Sequence, residues 1–172
     1  MNANTRRKHI LDAIEKADAP ISASALAGKL DVSRQIIVGD VALLRAQGHE
    51  ITATSRGYIV SQSRDENKFF GKVACQHTAE ATQSELYIIV DLGGIIVNVI
   101  VEHELYGEIT GCLNLKNRDD VDAFLARVKS SEAKLLAELT QGVHLHTIAC
   151  RDKAHFEGIV QALKAQGFLF EN

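Results

Sequence analysis

The chain has 172 residues, 46% hydrophobic and 24% charged, with one proline and a formal net charge of −3. This describes a globular chain of one domain or two small ones, and excludes collagenous and disordered classes. No apolar run approaches the roughly 20 residues of a membrane helix, the charged opening MNANTRRKHILDAIEK has no signal-peptide core, and three widely spaced cysteines make no disulfide framework. A reduced, cytoplasmic location and no membrane partner are therefore expected.

In chain order, residues 5–17 place Ile10, Leu11 and Ile14 at helical spacing, and Asp18 to Pro20 end that helix. Ser22 or Ser24 caps a short second helix, ASALAGKL, with Leu26 and Leu30 facing in. After a tight turn at Asp31-Val32, Ser33 caps a third helix, RQIIVGDVALLRAQ, with Ile36, Ile37, Val41 and Leu44 apolar and Gly48 placed to stop it. Two strands follow, EITAT and GYIVS, joined at Ser55-Arg56-Gly57. The polar run SQSRDENK, residues 61–68, marks a boundary and divides the chain into 1–62 and 63–172.

Beyond it, FFGKVAC reads as a strand and SELYIIVDLGG as a helix, with Ser84 a possible cap. IIVNVIVEH and EITGCLNL read as strands around a turn at Tyr106-Gly107. RDDVDAFLARVKSSEAKLLAEL is amphipathic helix broken near Ser130-Ser131. VHLHTIAC is a strand, KAHFEGIVQALKAQG a helix, and FLFE a last short strand. The order predicts an α+β chain: an N-terminal winged helix-turn-helix, then an α/β sandwich with a mostly antiparallel sheet.

Two short helices with a tight turn, the second opening Ser-Arg-Gln, point to a nucleic-acid reader. In a helix-turn-helix the second helix enters the major groove and its first turn meets base edges. Ser33, Arg34 and Gln35 occupy that turn; Gln can pair bidentately with adenine, and Arg with guanine or phosphate. Arg56 sits at the wing tip, and Arg6, Arg7 and Lys8 offer further phosphate contacts. Residues 1–64 carry 9 Lys+Arg against 6 Asp+Glu, and residues 65–172 carry 10 against 16. A basic head on an acidic body agrees with this.

The stretch DVSRQIIVGDVALLRAQGHEITATSRGYIV resembles the winged helix of bacterial transcriptional repressors that respond to niacin. In that family the winged helix precedes a domain named for three histidines. The resemblance continues through KVACQHT, VEHELYGEIT, LNLKNRDDVDAFL and VHLHTIA, and so covers nearly the whole chain in order. One departure stands out: the family pattern expects proline after the histidine of VEH, and this chain has Glu104.

His144 and His146 are two apart on a strand and therefore share a face. His77 ends one strand and Glu85 opens the next helix, so a loop of that length can fold one back to the other. Three imidazoles and a carboxylate suit a first-row divalent ion such as zinc, nickel, iron or manganese. The resemblance places the family's metal set on His77, Glu85, His144 and His146, with nickel or zinc as the expected ion. Glu80 is a rival carboxylate. His103, with Tyr106, is a candidate for effector binding or a turn residue, and His155 reads as solvated. The three cysteines read as small buried hydrophobes.

The resemblance implies a DNA-binding repressor of niacin uptake or NAD synthesis genes, with nicotinic acid as corepressor and a homodimer meeting operator half-sites. Two other readings stay open here: a metal-dependent enzyme acting on a nicotinamide compound, and a repressor for which the metal is itself the signal. The enzyme reading lacks an H-E-x-x-H or G-x-S-x-G motif.

Overall fold

The computed structural model describes residues 1–60 and 65–171. The expected boundary after residue 62 and the expected end of the second wing strand at Ser61 lie outside the described residues. Two compact units form, one before and one after this stretch.

The first unit opens with α1, Ala3–Glu15, capped by the Asn2 side chain, which accepts from Thr5 N at 2.8 Å. Ser22 caps α2, Ala23–Leu30, and Ser33 caps α3, Arg34–Ala46. Between them Asp31 adopts the left-handed conformation (φ 52°), which turns the chain sharply. Ile10, Ile14, Leu26, Ile37, Val41 and Leu44 form the core with Ile51 of the wing. Ile36, expected on the apolar face, is instead 41% exposed. It lies one position off the buried 37/41/44 stripe.

The wing pairs β1, Ile51–Thr54, with β2, Gly57–Val60, antiparallel, from Ile51↔Val60 to Thr54↔Gly57. Ile21 bridges to Tyr58 with both backbone hydrogen bonds, at 3.0 and 2.8 Å, and ties the wing to the helices. Gly57 makes this possible. Its φ is 139°, and a Cβ there would lie 2.4 Å from the Ile21 carbonyl.

The second unit contains β3 (Phe69–Gln76), a 3-10 turn (Ala79–Ala81) leading into α4 (Thr82–Asp91), β4 (Ile95–His103), β5 (Gly107–Leu115), α5 (Arg118–Ser130), a 3-10 helix (Leu136–Thr140), β6 (Val143–Cys150) and α6 (Lys153–Ala165). The sheet runs β3-β6-β4-β5 with every pair antiparallel. Leu86 and Ile89 of α4, Val121 of α5, and Ile159 and Leu163 of α6 share one core with Val73, Cys75, Ile96, Leu115 and Ile148 of the sheet. The α+β class and the mostly antiparallel sheet are as expected.

Three local expectations change. Ser84 is not a cap, because the 3-10 turn runs into α4 and starts it at Thr82. The helix after residue 118 does break at Ser130-Ser131, but its continuation is 3-10. Ser131 is extended, and its hydroxyl bonds Val128 O and accepts from Ala133 N, competing with the helical ladder. FLFE forms only an isolated bridge, Cys75↔Leu169, flanked by Gln76 N to Phe168 O and Phe170 N to Ala74 O. Even so, it lays the tail along the edge of β3. Among the described residues no helix is long and apolar enough to cross a membrane.

Candidate metal centre and nucleic-acid interface

In the first unit, Arg34 and Gln35 stand exposed on the opening turn of α3. The Ser33 hydroxyl accepts from Ile36 N at 3.3 Å, so it serves first to start the helix. Arg56 lies at the wing tip, half-buried, with its backbone N donating to Thr54 Oγ1. Arg6 and Arg7 hold the buried Asp40 of α3 with their guanidinium groups, Arg6 Nε lying 2.5 Å from Oδ2, while Lys8 is exposed. A buried carboxylate requires such partners. This pairing fixes α3 against α1.

In the second unit, three parts of the fold bring together His77, just after β3, Glu85 of α4, and His144 and His146 of β6. Cross-strand pairing sets Cys75 opposite His144 and Val73 opposite His146, so these side chains share one face of the sheet. Glu85 projects onto that face from the first turn of α4, where the helix dipole favours a carboxylate. Tyr87, which donates to Asp122, and Arg118, bidentate to Asp91 at 2.8 and 2.6 Å, staple α4 to α5. His77 is brought in by a close backbone approach. Gly142 has φ 88°, and a Cβ there would lie 2.4 Å from His77 O. Phe168 of the tail packs its ring against His77, centroids 5.5 Å apart.

The ring contacts settle which nitrogen faces the carboxylate. Nδ1 of His77 lies 2.8 Å from Thr78 O, that of His144 2.8 Å from Gly142 O, and that of His146 2.7 Å from Asn98 O. A carbonyl only accepts, so in each neutral ring the proton sits on Nδ1 and Nε2 carries a lone pair. All three Nε2 atoms face Glu85, which is 0% exposed. His146 Nε2 is 2.5 Å from Oε1, and His144 Nε2 is 3.1 Å from Oε1 and 3.2 Å from Oε2. His77 Nε2 abuts Oε2 without hydrogen-bond geometry, leaving this buried nitrogen without a hydrogen-bond partner.

Burial alone would raise the Glu85 pKa, but facing His146 and His144 outweighs it and holds the carboxyl well below its usual range. Burial alone would lower the His144 pKa, but the hydrogen bond and charge of Glu85 raise it. Three lone pairs and a carboxylate directed at one buried point repel one another unless a cation or added protons stand between them. Main-chain carbonyls behind each ring are the outer support that metal-binding histidines use. The residues present therefore fit a divalent ion.

Residues 6–59 match the HTH domain family, and residues 70–172 match the 3H domain family. The chain belongs to the transcription repressors built from these two domains. It is 40% identical over 166 residues, 96% of this chain and 94% of the relative, to a Thermotoga maritima protein named probable transcription repressor NiaR. It is 36% identical over 174 residues, 100% of this chain and 96% of the relative, to the transcription repressor NadR of Bacillus subtilis. The chain is thus a DNA-binding regulator and not an enzyme.

His103 and Tyr106 of this repressor meet elsewhere, in the β4–β5 hairpin, with ring centroids 5.2 Å apart. His103 Nδ1 accepts from Leu105 N at 3.1 Å and Tyr106 N at 3.3 Å, so its neutral ring is protonated on Nε2, the reverse of the three site histidines. A shallow cleft there is lined by Glu102, His103, Glu104, Leu105 and Leu139. Glu80 is exposed, and its carboxyl is held below the usual range by hydrogen bonds to its own backbone and to Thr78. His155, expected to be solvated, instead ties two segments together. Its Nδ1 accepts from Arg151 N, and its Nε2 donates to Leu92 O at 2.5 Å.

Sequence reasoning misses three contributors. Gly142 is legible only as a flanking turn residue. The Asp40 pairing joins residues more than 30 apart. Cys75, read as a small hydrophobe, lies with the site: its Sγ, a Glu85 oxygen and a His144 nitrogen are within 4.8 Å of one another.

Proposed function

We propose that this repressor controls genes of niacin uptake or NAD synthesis, with nicotinic acid as corepressor and a divalent transition ion, nickel or zinc, held by His77, Glu85, His144 and His146. The relatives' designations NiaR and NadR turn the reading toward niacin and NAD. The observation that carries the metal assignment is the orientation of the three rings. Each is pinned at Nδ1 by a carbonyl, and each turns Nε2 to one buried carboxylate. Nitrogen-rich donor sets of this kind suit nickel and zinc.

Operator DNA is met by Arg34 and Gln35 on the first turn of α3, with Ser33 at the cap and Arg56 on the wing. A homodimer presents two such helices to half-sites about one helical turn, roughly 34 Å, or a multiple of it apart. The effector acts by favouring the head arrangement that fits that spacing. His103 and Tyr106 offer nicotinate an Nε2–H donor and an aromatic face, against the nearby charge of Glu102 and Glu104.

A gel-shift titration with ion and nicotinate varied independently tests this reading. Operator affinity should rise with nicotinate in the ion-loaded protein and fall after chelation. Affinity that tracks the ion and ignores nicotinate would make the chain a metal sensor instead.

A further inference from the structure

We propose that Cys75 supplies a sulfur donor to the ion centre, making it a mixed nitrogen, oxygen and sulfur site. The inference rests on the metal reading above and deepens it. Cys75 stands directly across the β3–β6 ladder from His144, so both side chains rise from the same face. Its Sγ, a Glu85 carboxylate oxygen and a His144 ring nitrogen all lie within 4.8 Å of one another. The thiol is fully buried, and so is Glu85. The His77 side chain is 7% exposed and turns its unpartnered Nε2 to the same carboxylate. The thiol therefore stands beside two members of the donor set, Glu85 and His144, whose donor atoms already point inward.

Charge strengthens the case. Three neutral imidazoles and one carboxylate leave a divalent ion with one uncompensated positive charge in a buried place, which is costly. A thiolate removes that charge. On binding, a sulfur–ion bond forms, the S–H bond breaks heterolytically, and the proton leaves to solvent; nothing is oxidised or reduced. A soft sulfur donor also shifts preference toward zinc, cobalt and nickel and away from manganese and magnesium.

Cobalt(II) is the probe, added to the full chain under reducing conditions. Wild type should show the near-ultraviolet sulfur-to-cobalt charge-transfer band. Cys75→Ser and Cys75→Ala should lose the band and bind cobalt about 10-fold or more weakly, with circular dichroism showing both folded. X-ray absorption on the zinc-loaded wild type needs no variant and should show a sulfur neighbour. Cobalt bound by wild type without the band, or zinc without a sulfur neighbour, overturns the role of Cys75 and leaves the histidine–carboxylate site standing. Failure of wild type to bind either ion overturns both readings.

Discussion

The two units hold their candidate functional residues in opposite ways. In the head, Arg34 and Gln35 are exposed on one turn of one helix, and the charges beneath them serve packing: Asp40 is buried and held by Arg6 and Arg7. In the body the candidate site is itself the buried charge. Glu85 from α4, His77 from the end of β3, and His144 and His146 from β6 converge there. A surface reader needs only a correctly started helix. A buried polar centre needs the whole sheet in register, because every misplaced donor leaves an unsatisfied charge. The head should therefore lose function through single side chains, and the body through anything that shifts its strands.

The largest expected effect falls on the body. Glu85→Ala should weaken binding of zinc or nickel about 100-fold or more, beyond the loss typical of outer-shell partners, in competition with a chelating dye. The head of the same variant should keep its helices. An unchanged affinity would separate the ion from this carboxylate.

Paired glycine substitutions probe the contrast next. Gly142→Ala and Gly57→Ala each force a side chain into a left-handed conformation and onto a carbonyl 2.4 Å away. The backbone conformation alone costs about 1–3 kcal/mol. Calorimetry should show the first variant destabilising the body and weakening ion binding, and the second destabilising the head and leaving ion binding alone. One shared transition falling equally in both variants would contradict this independence.

Arg34→Ala or Gln35→Ala should cost about 1–3 kcal/mol of operator affinity where a bidentate base contact is lost. Fluorescence anisotropy with operator and scrambled duplexes reads this out, and ion content should not change. Normal discrimination in both variants would mean that α3 does not read the bases.

The most gradual effect is pH dependence. An imidazole must shed its proton to bind an ion, and the His144 pKa is raised by Glu85 against the opposing effect of burial. Ion affinity should therefore fall as pH drops through and somewhat above the ordinary histidine range. The slope is up to about tenfold per pH unit for each proton displaced. A flat profile across that range would remove His144 from the ion.

What is legible in the sequence follows the same division. Local features read well: the Ser22 and Ser33 caps, the Gly48 stop, the strands flanking Tyr106-Gly107 and the break at Ser130. Each depends on neighbours a few residues away. The shared face of His144 and His146 is legible because strand period alone dictates it. What stays hidden depends on contacts distant along the chain. Asp40 looks like an ordinary helix-surface acid, and His155 like a solvated imidazole. Gly142 reads as a turn residue until the fold sets His77 O beneath it. Cys75 resembles any small hydrophobe, because only the β3–β6 register puts it beside His144.

Native mass spectrometry of the full chain, loaded with zinc or nickel, asks whether the body holds an ion through its histidines independently of the DNA-reading head. Wild type and the Arg34→Ala/Gln35→Ala pair should each retain one divalent ion per chain, while His144→Ala/His146→Ala should retain none under the same conditions. An ion-free wild type, or a double-histidine variant as fully loaded as wild type, would contradict the assignment of the centre.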